Sequence, residues 1–299
     1  MKKTSVLLLV SLLLAGLTLA SCEKERHPVG SSGLTGFDEN GASESLFSVS
    51  TSKRVRFSRG NLQYMASTNS WAFAQNQYDY TGTYNPNLFD LFGWGTSGWP
   101  NPAQCYDPTS TSNWNSDYWP GGSTESDLAG SCDSADWGVY NAITNGGNAP
   151  GMWRTLTSNE WQFLLGVTAD TNRIDKWGIA TVAENYHGMI LLPDVWECPE
   201  GLEFHPGDPD NPGAHGWETN VYSASQWGEM EAAGAIFLPA GGCRYANGVD
   251  NASEAGYYWS ASHYNAEHSY YMGFSAESMG ATNRCFRSNG LSVRLVMDK

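Results

Sequence analysis

Hydrophobic and polar positions change period several times along the chain. From Leu46, LFSVSTSKRVRFSRGNLQY alternates, with Val55 and Phe57 on one face and Gly60-Asn61 as a turn, which predicts strand, turn, strand. Two stretches switch to helical spacing. In RTLTSNEWQFLL, Thr157 and Glu160 form a capping box ahead of the apolar stripe Trp161, Leu164 and Leu165. In SASQWGEMEAAG, Ser223 and Gln226 offer a second box, Trp227 and Met230 face the core, and Gly234 stops the helix. GMILLPDVW predicts a buried strand closed by proline, and AIFLPAGG repeats that design. The segments GYYWSAS, SYYMGFSAES and GLSVRLVMDK predict three more strands. Period two turns Met272 and Phe274 inward, with Tyr271, Gly273 and Ser275 on the other face. It also turns Leu291, Val293 and Leu295 inward, with Ser292 and Arg294 outward. From Tyr80 to Asp136 no period holds, and the glycines, prolines and tryptophans there predict a long loop pinned to the body by its aromatic rings. The sum is an α+β domain with short strands, two main helices and a long aromatic-rich loop.

The N-terminus changes the picture of where such a domain resides. MKKTSVLLLVSLLLAGLTLASC sets two lysines before an apolar run too short for a comfortable membrane span, then small residues and a cysteine. Leu19-Ala20-Ser21-Cys22 resembles the bacterial lipobox, which implies cleavage after residue 21 and acylation at Cys22. Residues 22–45 are polar and rich in glycine and serine, and predict a flexible tether. The expected organisation is therefore a signal peptide over 1–21, a tether over 22–45 and one domain over 46–299, held on the cell envelope, at the outer membrane or cell surface, by an acyl anchor.

Charge narrows the partners. The chain carries 16 basic and 31 acidic residues, net −15; without Lys2 and Lys3 the balance is 14 against 31, or −17. Such a charge repels phosphate backbones, and no basic patch offsets it, so no nucleic-acid partner is expected. Of six cysteines, Cys22 is assigned to the anchor, leaving Cys105, Cys132, Cys198, Cys243 and Cys285. Cys105 and Cys132 flank one loop-rich segment and are the first pair expected to bridge. No CxxC or cysteine-histidine register points to zinc. HPGDPDNPGAHGWETN and NWNSDYW gather oxygens suited to calcium, yet neither follows a calcium-loop register, and turn formation explains them more simply. No cofactor and no metal are expected.

The blocks GNLQY, DWGVYNAITNGG, WRTLTSNEWQFLL, MEAAGAIFLPAGGCR, GYYWSAS and GLSVRLV, in this order, resemble the exported domains of the Fibrobacter succinogenes major paralogous type. Those are similar in turn to the C-type-lectin-like fold shared by formylglycine-generating enzymes and by the variable proteins of diversity-generating retroelements. The resemblance covers residues 46 to 297 and implies that fold. For the retroelement proteins it also implies a diversified region between GYYWSAS and GLSVRLV. Glu267, Met272, Glu277 and Met279 do not arise from an asparagine codon by changing its adenines, which argues for a fixed relative. An oxidase of the formylglycine type needs two closely spaced cysteines, whereas TNRCFRSNG holds Cys285 alone.

The candidate chemistry lies in SHYNAEHSYYMGFSAES and the segment after it. His263, Tyr264, Asn265, His268, Tyr271, Gly273, Ser275, Asn283, Arg284 and Phe286 are expected to share one recognition face, flanked by loops over 263–268 and 277–286. Tyrosine and histidine offer flat, partly polar contacts at low entropic cost, and asparagine and serine adapt their hydrogen bonds. With no catalytic residue assigned and no GxSxG elbow, the expectation is a binding protein for a protein or glycan ligand rather than an enzyme. A non-binding structural envelope component is the alternative, and a formylglycine-type oxidase a more distant one.

Overall fold

The computed structural model describes residues 35–99, 118–168, 173, 175–211, 213 and 216–299. The expected signal peptide, Cys22, the tether as far as residue 34, and Cys105 lie outside the described residues. All described residues belong to one unit, Gly33–Lys299, and none of its helices is long and apolar enough to cross a membrane.

The fold is α+β, with short strands in several sheets and few helices. The first strands are β1 (Phe47–Ser48), β2 (Arg54–Phe57), β3 (Leu62–Met65), β4 (Ser70–Phe73) and β5 (Leu88–Phe89). After α1 (Trp137–Tyr140), β6 (Arg154–Thr155) and α2 (Ser158–Leu164) come β7 (Trp177–Val182), β8 (Tyr186–Leu191) and β9 (Asn220–Tyr222). α3 (Ala224–Ala232) leads to β10 (Ile236–Pro239), β11 (Cys243–Tyr245) and β12 (Gly248–Asp250). Three long strands follow, β13 (Ala255–His263), β14 (His268–Ser275) and β15 (Met279–Phe286), and β16 (Leu295–Asp298) ends the chain. The sheets run β1-β2-β16-β6, β10-β8-β7-β9, β4-β3-β5, β11-β12 and β13-β14-β15.

Both predicted capping boxes form. Thr157 Oγ1 accepts from Glu160 N (3.2 Å) while Glu160 Oε2 accepts from Thr157 N (2.9 Å), and Ser223 and Gln226 exchange the same pair of bonds on α3. Gly234 ends α3 at φ 99°, a conformation a Cβ would strain. The strands predicted at GMILLPDVW and AIFLPAGG pair antiparallel as β8 and β10. Trp94 and Leu128 of the long loop are buried, and Trp94 Nε1 and Trp119 Nε1 donate to Ser260 O (2.8 Å) and Ala266 O (2.9 Å), so aromatic rings do pin the described part of that loop to the body.

Four expectations need correction. The tether does not run to residue 45: Ala42 and Ser43 are buried, and Asp38 pairs with Arg56 at 2.8 Å, so the packed chain begins before Leu46. Gly60-Asn61, read as a turn, only bends the chain from β2 into β3, which lie in different sheets. The segment over 277–286, read as a loop, contains the strand β15, whose polar edge positions hide its period. Ser292 and Arg294 do not face solvent; they are 2% and 1% exposed. The chain before β16 is sandwiched between cores on both sides, so alternation there sorts residues between two interiors.

Arg294 is buried without a direct carboxylate partner among the described residues. Its Nη2 donates to Gln77 Oε1 (2.6 Å), and its Nη1 reaches Phe237 O (3.3 Å) and Asn61 Oδ1 (3.4 Å). Gln77 Oε1 also accepts from Phe237 N (2.9 Å), and Gln77 Nε2 donates to Glu231 Oε1 (2.9 Å) and Ala235 O (3.1 Å). Burial pulls Arg294 down to about 10, with Tyr258 and Glu231 opposing the shift, so the guanidinium stays charged. Asp136, 1% exposed, accepts from Thr155 N (2.7 Å), Thr155 Oγ1 (3.1 Å) and Gly138 N (3.2 Å), which fastens β6 to the start of α1.

Gln77→Leu should strand the guanidinium, the Glu231 carboxylate and the Phe237 N–H, costing about 3–5 kcal/mol in denaturant unfolding. The double variant Gln77→Leu, Arg294→Met should recover part of that loss. Burial raises Asp136 to about 6, so its charging opposes folding. Its contribution is full below an unfolded value of ~4 and is lost as pH rises through 6, an effect of at most about 3 kcal/mol. Asp136→Asn should flatten that part of the stability profile between pH 4 and 7.

Candidate functional site

β13, β14 and β15 form an antiparallel meander in which Tyr257 pairs Gly273, Tyr258 pairs Met272 and Trp259 pairs Tyr271. On the other side of β14, Tyr271 pairs Asn283 and Gly273 pairs Gly280, with a bulge between. One face, carrying Tyr258, Met272, Phe274 and Ala281, packs on the core that includes Trp161 and Leu164 of α2. The opposite face carries Tyr257, Trp259, Tyr271 and Cys285 against a second core with Trp94 and Trp137. The sheet is thus buried on both sides along much of its length, and an open face remains only where one core runs out.

There a concavity of about 290 Å³ opens, lined by Tyr257, Tyr271, Gly273, Ser275, Asn283 and Met279 among others. Its floor depends on two glycines. A Cβ at Gly273 would fall 2.8 Å from the Tyr271 ring, and one at Gly280 would fall 2.5 Å from Asn283 Nδ2. The carboxamide of Asn283 occupies that space and donates to Gly280 O at 3.1 Å, which leaves its oxygen for a ligand. Tyr257 accepts from Asn251 Nδ2 at 3.0 Å, so its own hydroxyl proton is free to donate outward. Tyr257 and Tyr271 meet edge to face at 5.7 Å. Burial pushes Tyr271 up to about 12 and raises Tyr257 as well, so both rings present neutral phenols. Ser275 and Ser278 share a hydroxyl hydrogen bond of 2.8 Å at the rim. The lining holds no carboxylate, histidine, lysine or arginine. It offers aromatic faces and uncharged donors and acceptors, and no group poised for general acid-base or nucleophilic chemistry.

Of the residues expected on one face, Tyr271, Gly273, Ser275 and Asn283 come together here. The others do not join them. His268 pairs Phe286 and Tyr270 pairs Arg284, one position out of phase with Tyr271, so these side chains project from the opposite surface. There His268 lies over Phe286 with centroids 4.3 Å apart, Tyr264 meets Tyr270 at 5.4 Å, and Arg284 sits 4.3 Å over the Tyr264 ring. His263 and Asn265 are committed to the β13–β14 turn. His263 Nδ1 and backbone N contact Asp127 Oδ1 at 2.7 and 2.8 Å, while Asn265 Oδ1 accepts from the backbone N–H groups of Glu267 (3.0 Å) and His268 (2.8 Å). Tyr257 was missed by sequence reading. Its signal is the alternation in GYYWSAS, which sets Tyr257 and Trp259 on the face opposite Tyr258.

The cysteines are all free among the described residues. Cys132 is a buried thiol 3.4 Å from Pro120 O, and the expected bridge to Cys105 falls outside the described residues. The fold brings Cys243 and Cys285 into one core with Tyr257 and Tyr271, and burial raises both thiols, holding them protonated. No group of three or more histidine, cysteine, aspartate or glutamate side chains converges among the described residues. His187 instead stacks on Trp217 at 4.8 Å and donates through Nδ1–H to Ser253 O at 2.8 Å.

A family model for a domain of unknown function, DUF8237, matches residues 217–296. No curated protein and no solved structure matches the chain. The matched stretch contains every residue that lines the concavity on β13–β15.

Gly273→Ala forces a ring of the site to move and should cost about 1–3 kcal/mol by overpacking. Gly280→Ala meets only the mobile end of Asn283 and should cost less. Denaturant unfolding of the two variants compares them directly.

Proposed function

We infer that the chain is an acyl-anchored protein of the bacterial cell envelope whose lectin-like domain binds a macromolecular or glycan ligand through its C-terminal strands. The observation that carries this reading is the concavity on β13–β15, with two neutral tyrosines, an asparagine kept open by two glycines, and a serine pair at its rim. Such groups recognise ligands by stacking and by adaptable, uncharged hydrogen bonds. An acyl chain at Cys22 supplies the membrane partner, and the net charge of −15 disfavours polyanionic ligands. The lectin-like fold is supported by the ordered sequence blocks and by the α+β arrangement in which their described parts lie within one packed unit.

Binding is tested by probing a glycan array and whole bacterial cells with the purified chain and with Tyr271→Ala and Asn283→Ala. Saturable binding that weakens at least tenfold in both variants, with thermal unfolding nearly unchanged for Asn283→Ala, is the expected result. Equal binding by all three proteins removes this face from consideration, and no saturable partner at all favours a structural envelope role. For the anchor, Cys22→Ser should abolish incorporation of labelled palmitate and release the chain from the membrane fraction.

A further inference from the structure

A second concavity, of about 470 Å³, lies among β3, the loop after β4 and the start of β8. It shares no residue with the site on β13–β15 and lies outside the stretch matched by the family model. Its size falls within the ~300–1,000 Å³ of small-molecule sites. Tyr80 and Tyr186 line one corner, and Tyr78 backs Tyr186. Tyr78 stacks on Tyr186 with centroids 4.7 Å apart and planes at 29°, and Tyr80 meets Tyr186 at 85°.

The corner is held in place before any ligand arrives. On one side of Tyr78, Gln77 is locked into the core by its hydrogen bonds to Arg294, Phe237, Glu231 and Ala235. Beside Tyr80, Asp79 accepts from Asn76 N (2.8 Å) and Asn76 Nδ2 (3.1 Å), and Thr81 gives both its N–H (2.6 Å) and its hydroxyl (2.7 Å) to the buried Asp90. Tyr186 is fixed by its pairing with Val182. A rigid aromatic corner loses little entropy on binding.

The polar lining defines the ligand. Gln63 and Gln75 contribute carboxamides with no protein partner among the described residues, and Asn85 adds an amide whose oxygen alone is used, by Asn87 N at 2.9 Å. No lysine, arginine or histidine lines the cleft, and its carboxylate, Asp79, is already hydrogen-bonded. This excludes the recognition of phosphate or carboxylate groups. A carboxamide is donor and acceptor at once and matches neighbouring hydroxyls, which are the same. A proline-rich segment, the other common occupant of tyrosine grooves, has carbonyl acceptors but no N–H at proline, so the carboxamide oxygens would stay unmatched. We propose that this cleft binds a short, uncharged oligosaccharide, its sugar C–H faces on Tyr80 and Tyr186 and its hydroxyls on Gln63, Gln75 and Asn85.

The test uses the purified full chain in calorimetric titrations and saturation-transfer NMR with maltohexaose, xylohexaose, mannohexaose and laminarihexaose, and with decaproline. At least one hexasaccharide should bind saturably, with saturation passed to its ring C–H protons. Tyr80→Ala should weaken that binding at least tenfold. The surface pair Gln63→Ala, Gln75→Ala, which leaves the tyrosine packing intact, should weaken it at least fivefold. Asn283→Ala, which alters only the site on β13–β15, should leave it unchanged, so the two sites succeed or fail separately. Silence toward all four sugars, binding that survives both cleft variants, or decaproline binding that is lost with Tyr80→Ala overturns the proposal.

Discussion

A single buried amide holds this fold together. Gln77 comes from a surface-bound loop after β4, yet it spends both donors and both lone pairs inside the protein, on Arg294, Phe237, Glu231 and Ala235. These partners lie 217, 160, 154 and 158 residues away in sequence. A charged guanidinium far from water is tolerable only when each of its neighbours is oriented toward it. Gln77 supplies that orientation for Arg294, and through Glu231 it carries the balancing charge from α3. The closing strand, the central β8–β10 pair and the first half of the chain are thereby fixed in one register, because the network tolerates no other pairing without an unpaired buried polar group.

Close packing of this kind also leaves little of the β13–β15 sheet open to solvent. The β13–β15 sheet is covered by α2 on one face and by the tryptophan-rich loop on the other, so free surface remains only at its end and along its edge. Aromatic side chains that read in sequence as one exposed cluster are divided between a neutral concavity around Tyr257 and Tyr271 and a cationic ladder around Arg284 and Tyr264. The division is a consequence of pleat: His268 and Tyr270 cannot share a face with Tyr271.

Features set by near neighbours were legible in the sequence. Both capping boxes, the glycine stop at Gly234 and the inward turn of Met272 and Phe274 follow from spacings of a few residues, and each is found where expected. Features set by distant partners were not. β15 reads as a loop because Thr282, Asn283 and Arg284 are exposed on an edge strand, and only the ladder with β14 makes MGATNRCF extended. Arg294 reads as a surface residue because alternation assumes that one face of a strand is wet. Nothing local marks Gln77 or Asn61 as buried. The candidate site was half legible: β-periodicity grouped Tyr271, Gly273 and Ser275 and the segment after them supplied Asn283, while the register that adds Tyr257 and removes His268 and Phe286 is a property of the assembled sheet.

The stretch that the DUF8237 model matches, residues 217–296, contains Arg294 but neither Gln77 nor Asn61. Cut out by itself, it would carry a desolvated positive charge with its principal acceptors left behind. In this chain it is therefore not a self-sufficient unit of folding. In this chain a fragment of residues 217–296 would have to expose Arg294 to water or find it another amide, so a boundary drawn by sequence similarity cuts through the shell of groups that replaces the arginine's water.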